Sequence, residues 1–160
     1  MQNIQTADFC DANPDCIQVV WPGFRRLGGL YGCGGSIVTV KVFEDNSLLQ
    51  AVLEAPGNGQ MLVVDGGGSM RCALLNEDLA LLAVGRGWAG VIVNGCIRNS
   101  VAIGNIALGV FALGVHPLGC GQRGIGESNV PVTFGGATFY PGDYVYADND
   151  GIIVSKTALR

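Results

Sequence analysis

The chain has 160 residues, of which 49% are hydrophobic and 14% charged, with a formal net charge of −4. That length and composition suit one domain spanning residues 1–160 with a real core, and they exclude a disordered chain. The acidic balance, with Arg25-Arg26 as the only adjacent basic pair, excludes direct nucleic-acid binding, which depends on clustered Lys and Arg against phosphates.

Ser36-Ile37-Val38-Thr39-Val40-Lys41-Val42 alternates and is β-branched, so it reads as a strand. Asn46 then caps a helix through Leu53, with Leu48, Leu49, Val52 and Leu53 on one face. Pro56-Gly57-Asn58-Gly59 ends it. Met61-Leu62-Val63-Val64 is a short, wholly apolar strand of the kind buried on both faces. After the Gly66-Gly67-Gly68-Ser69 turn, Asn76 caps a helix running to about Arg86, where Gly85 and Gly87 stop it. Val91-Ile92-Val93 is the next buried strand. Strand, helix and strand in this order predict a right-handed crossover between parallel strands.

Ala107 to Leu113 supplies one more apolar strand. The last third changes character. Val130 to Phe134 and Ala137 to Tyr140 flank Gly135-Gly136 as a hairpin, and Tyr144 to Asp148 and Gly151 to Val154 flank Asn149-Asp150. An α/β centre with an antiparallel β layer is expected.

The six cysteines, Cys10, Cys16, Cys33, Cys72, Cys96 and Cys120, form no CxxC pair, and His116 is the only histidine. A structural zinc site is therefore not expected, and the wide spacings favour free thiols in a reducing compartment. No apolar run is long enough to span a membrane and no secretory pattern opens the chain. The expected location is the cytoplasm, with no membrane partner.

Ligands of open α/β sheets lie beyond the carboxyl ends of parallel strands, beside helix N-termini. Two segments fall there. The first-turn amides of Glu77, Asp78 and Leu79, after Asn76, are placed to meet an anion. Arg98, which follows the neighbouring strand, can offer a bidentate fork to a carboxylate. A small dicarboxylate or 2-oxo acid would suit the pair. Arg98 could instead simply pair with Glu77 or Asp78 across the crossover mouth. The triglycine lacks both GxGxxG and GK[ST] spacing, so a nucleotide loop is not expected. Catalysis by Cys96 with His116 as its base has no local support.

Five ordered blocks make these residues familiar: Phe43 to Leu49, Val63 to Ser69, Gly95 to Arg98, Gly124 to Glu127 and Tyr146 to Val154. Together they resemble the RraA family, which comprises regulators of ribonuclease activity and the related class II 4-hydroxy-4-methyl-2-oxoglutarate aldolases. The resemblance implies a β/β/α swivelling-type fold, a ring-shaped homotrimer, and a pocket between subunits. In one branch it implies a regulator that binds ribonuclease E and associated RNA helicases, without a cofactor, and this is the function expected first. In the other branch it implies a divalent-metal-dependent aldolase or oxaloacetate decarboxylase, with magnesium as the expected ion.

The aldolase branch carries Asp, twenty residues, then Arg-Asp. Glu77 matches the first acid and would tune a metal-bound water. Arg98 matches the arginine that holds the substrate, and Asn76, Glu77, Asp78 and Leu79 match the substrate-binding helix start. Asn99 stands where that branch has its one direct metal ligand. An amide in place of a carboxylate removes most of the attraction for a hard cation. The resemblance thus implies a surviving anion site with little or no lyase activity.

Overall fold

The computed structural model describes residues 3–160. Its elements follow as helix α1 (Thr6–Ala12), strands β1 (Ile17–Val19), β2 (Arg25–Arg26) and β3 (Cys33–Lys41), helix α2 (Ser47–Leu53), and strands β4 (Met61–Asp65) and β5 (Ala73–Leu75). Helix α3 (Glu77–Gly85), strand β6 (Gly90–Ile97), helix α4 (Ser100–Gly104) and strand β7 (Gly109–Val115) come next. Strands β8 (Glu127–Ser128), β9 (Val132–Phe134), β10 (Ala137–Phe139), β11 (Tyr144–Asp148) and β12 (Gly151–Ser155) complete the chain.

Strands β3, β4, β6 and β7 run parallel, with Val40 beside Val64, Val64 beside Val93, and Val93 beside Ala112. On the far side of β3, strands β11, β12 and β1 continue the sheet antiparallel. The β9–β10 hairpin forms a separate two-stranded sheet.

Side-chain alternation divides the core. Leu62 and Val64 of β4 pack with Leu49, Leu53, Leu79, Ala80 and Ala83 on the helical face. Met61 and Val63 point the other way and pack with Ile92, Phe111, Phe134 and Phe139. Every residue of β4 is buried, and its apolar run from Met61 to Val64 is what a strand covered on both faces predicts. Each such side chain contributes on the order of 1.5–3 kcal/mol through burial. The resulting layers are helices, parallel sheet and antiparallel strands, matching the expected α/β architecture.

Several boundaries differ from the sequence reading. Strand β3 begins three residues before Ser36, because Gly34 and Gly35 pass where a side chain would not fit. An added Cβ would lie 2.4 Å from the Tyr146 ring at Gly34 and 2.4 Å from the Gly59 carbonyl oxygen at Gly35. Asn46 stands at the start of α2, but its side chain does not cap it. The Asp45 carboxylate does so, accepting hydrogen bonds from the Ser47 amide and hydroxyl.

The free-thiol expectation is corrected at two positions. Cys72 and Cys120 are joined by a disulfide across 48 residues of sequence. Wide spacing concealed the pair because a parallel bridge between Ala73 and Gly119 brings their segments together. Cys10, Cys16, Cys33 and Cys96 are free. Among the described residues no helix is long and apolar enough to cross a membrane.

Candidate active site

Strands β5, β6 and β7 end side by side and set the geometry. The Arg98 N–H donates to the Leu75 carbonyl at 2.9 Å, and the His116 N–H donates to the Ile97 carbonyl at 2.9 Å. The backbone then turns sharply at Asn99, which adopts φ 56° and ψ 43° before α4 begins. Asparagine is among the few residues other than glycine that enter this left-handed region readily.

This turn leaves a cleft of 620 Å³ lined by Arg98, Asn99, Ser100, Val101, Ala102, Val115, His116 and Pro117. Among the described residues the Arg98 guanidinium makes no ion pair; the Arg71–Glu44 pair lies elsewhere. The alternative in which Arg98 is tied to Glu77 or Asp78 is thus not what the chain adopts. Instead the guanidinium lies over Gly119, where an added Cβ would be 2.9 Å from Nη2 and 3.0 Å from Cζ. Gly119 is thus a bare platform beneath the guanidinium.

His116 shares this cleft, which the sequence did not disclose. Its Nδ1 accepts the Leu118 N–H at 3.1 Å, so the neutral ring carries its proton on Nε2. The missing signal was spatial: His116 and Arg98 sit at corresponding ends of neighbouring parallel strands, eighteen residues apart in sequence.

The first turn of α3 is less open than expected. Asn76 Oδ1 accepts the Leu79 N–H at 2.9 Å, and Asn99 Oδ1 accepts the Glu77 N–H at 3.0 Å. Two of the three amides expected to meet an anion are therefore already taken by asparagine side chains, leaving that of Asp78. Asn76, Asp78 and Leu79 line a different cleft, of 430 Å³, shared with Asn46, Gln50 and Gln122. Half-buried Glu77 is in the lining of neither cleft, and its N–H is the one that donates to Asn99 Oδ1. The structure thus gathers Arg98, Asn99 and His116, and sets the start of α3 beside them rather than inside the same cleft.

Asn99 is also where the family resemblance puts the metal ligand. Its amide oxygen is neutral and already accepts an N–H. Among the described residues no three of His, Cys, Asp and Glu converge as a cation cage. Magnesium is usually held by carboxylate oxygens and waters, so the donors at this position do not fit a directly held magnesium ion.

Two carboxylates, Glu44 and Asp45, lie beside Gly121. The Arg71 hydrogen bond, with a second from Ser69, holds the Glu44 carboxyl below its ordinary value. Burial pushes Asp45 up, but hydrogen bonds from Ser47 and from the Arg123 and Ile125 amides outweigh it, and the net shift is downward. Cys96 lies behind the cleft, buried beside Met70, and burial raises its thiol. A protonated, inaccessible sulfur is no nucleophile, which agrees with the sequence reading of Cys96.

Comparison with known proteins places this geometry. A family description, RraA-like (Aldolase/RraA), matches residues 6–154. A protein of Aromatoleum aromaticum with the provisional name 4-hydroxy-4-methyl-2-oxoglutarate aldolase is 59% identical over 155 residues, covering 97% of this chain and 98% of that protein. The solved structure titled S-adenosylmethionine: 2-dimethylmenaquinone methyltransferase, from Geobacillus kaustophilus, is 46% identical, with a TM-score of 0.95 and coverage of 97% and 96%. The structure of the RNA-processing inhibitor RraA from Thermus thermophilis is 38% identical, with a TM-score of 0.93 and coverage of 97% and 94%. These relatives carry three different functional names on one fold, so only the shared architecture transfers directly. The chain belongs to the RraA-like family.

Proposed function

We propose that the protein is a carbon–carbon lyase that cleaves 4-hydroxy-2-oxo acids, 4-hydroxy-4-methyl-2-oxoglutarate among them, and releases pyruvate. The observation that carries this reading is the unpaired Arg98 guanidinium facing a cleft that also holds His116. The name of the Aromatoleum relative supports it independently.

In this mechanism Arg98 binds the C1 carboxylate and the neighbouring 2-oxo oxygen through its two-pronged fork. A base removes the proton of the 4-hydroxyl, the C3–C4 bond breaks, and its electron pair moves onto the 2-oxo group as an enolate. The guanidinium stands where that negative charge grows, which is the arrangement that lowers a barrier. Water in the open cleft takes the hydroxyl proton and returns one to C3 to give pyruvate, while His116 Nε2–H, a donor with Nδ1 engaged by Leu118, hydrogen-bonds the 4-oxygen as the bond breaks. Oxaloacetate decarboxylation runs through the same enolate, with carbon dioxide leaving in place of the second carbonyl product.

Arg98 must do alone what a carboxylate-held ion would share, so turnover is slow. The exposed apolar rim, Val101 at 82%, Leu118 at 63% and Val115 at 43%, supports closure of the cleft by a neighbouring copy in a trimeric ring. Incubation with 4-hydroxy-4-methyl-2-oxoglutarate, followed by NMR identification of pyruvate, tests the reading. Pyruvate at the blank rate removes it.

A second reading is the regulator of ribonuclease E and its RNA helicases, reached by protein contact. Its support is the amide at Asn99 and the 38% identity to the Thermus RNA-processing inhibitor. Slowed RNA cleavage by purified ribonuclease E in the presence of this protein would favour it, and an unchanged rate would dismiss it.

A further inference from the structure

We propose that the Cys72–Cys120 disulfide is a redox-responsive clamp that positions Arg98. The proposal rests on the reading of the Arg98 cleft as a 2-oxo-acid site. Both ends of the cross-link bear on that residue by separate routes. Cys72 immediately precedes β5, whose Leu75 carbonyl accepts the Arg98 N–H at 2.9 Å. Cys120 immediately follows Gly119, the platform under the guanidinium. The disulfide therefore ties the wall that holds the Arg98 backbone to the wall that supports its charged end.

Backbone bonds place the two cysteines together without the covalent link. The Ala73 N–H donates to the Leu118 carbonyl at 2.7 Å, and the Cys120 N–H donates to the Ala73 carbonyl at 3.0 Å. Gly121 is held in turn by Glu44 and Asn46. Reduction removes the covalent tie and leaves only these hydrogen bonds, so the 116–121 segment should open more often while the sheet persists. Gly119 would then drift, and the guanidinium lying on it would lose its fixed direction.

The chemistry requires only a low-molecular-weight thiol. Its thiolate attacks the half-buried Cys120 sulfur, since Cys72 is only 7% exposed. The S–S bond breaks, Cys72 leaves as thiolate and takes a proton, and a mixed disulfide forms on Cys120. A second thiol then releases Cys120, so two external thiols become one disulfide as the protein gains two electrons and two protons. Two of the four free cysteines stand aside from exchange: burial pushes the Cys33 thiol up to about 12 and raises that of Cys96.

The test compares the oxidised chain, the same chain reduced with dithiothreitol and then re-oxidised, and the variants Cys72→Ala and Cys120→Ser. Pyruvate affinity is read by calorimetry and local opening by amide hydrogen exchange over residues 116–121. The expected result is several-fold weaker binding and faster exchange on reduction, both reversed by re-oxidation. Either variant should match the reduced chain whatever the redox conditions. Equal exchange in the oxidised and reduced chains overturns the clamp, as does unchanged affinity despite faster exchange. If neither form binds pyruvate while exchange still follows the redox state, the clamp on this segment stands and the oxo-acid reading falls.

Discussion

The side-chain oxygen of Asn99 accepts the backbone N–H of Glu77 at 3.0 Å, so the residue that the family resemblance aligns with a metal ligand caps the start of a helix instead. An aspartate there would accept the same N–H with one oxygen and present a second, charged oxygen to solvent. Asn99→Asp should therefore keep α3 intact and create a magnesium-dependent rise in pyruvate release. A thermal shift with added magnesium, seen in the variant and not in the parent, checks the same point without relying on turnover. Activity that stays flat across magnesium concentrations would mean the metal site needs more than this one charge.

Gly119→Ala tests the platform. The added methyl meets the far end of a flexible side chain, 2.9 Å from Nη2, so Arg98 should swing aside rather than the sheet unfold. Substrate KM should rise several-fold with little change in thermal midpoint. Equal loss of KM and stability would point to a backbone role for the glycine.

His116→Gln removes the ring N–H donor that faces the cleft while keeping a polar side chain. One donor aimed at a developing oxyanion contributes about 10²–10³-fold, and a drop in kcat at the lower end of that range is expected. An unchanged kcat would mean that the 4-oxygen needs no donor from His116.

Acid stability should depend on Asp45. Its folded carboxyl titrates below the ordinary value, so the folded state binds fewer protons than the unfolded state there. The stabilisation is complete above the ordinary carboxylate range and is lost as pH falls through the depressed folded value. Asp45→Asn should lower stability at neutral pH and flatten the acid limb of a denaturation series, measured by urea midpoint against pH.

Much of the fold could be read directly from the residues. The apolar runs at β4 and β6 and the Asn76 cap of α3 each follow from a local rule that the structure obeys. The short elements could not be read this way. Strand β5 and helix α4 have three and five residues and owe their existence to what lies beside them. The unexpected parts of the site have the same origin. His116 reaches Arg98 through strand pairing, and Cys72 reaches Cys120 through one isolated bridge. Such contacts join residues far apart in sequence and leave no periodic trace. The α3 amides were misjudged for a related reason: nothing in the sequence around Asn99 points its side chain at α3, and only the left-handed turn aims its oxygen at Glu77.

The most direct measurement is pyruvate release from 4-hydroxy-4-methyl-2-oxoglutarate by the parent chain and by Arg98→Ala, side by side at saturating substrate. A rate above the blank that falls about 10²-fold or more in the variant is expected from losing the charge that faces the enolate. Equal rates in the two proteins, or none in either, would contradict a lyase built around Arg98.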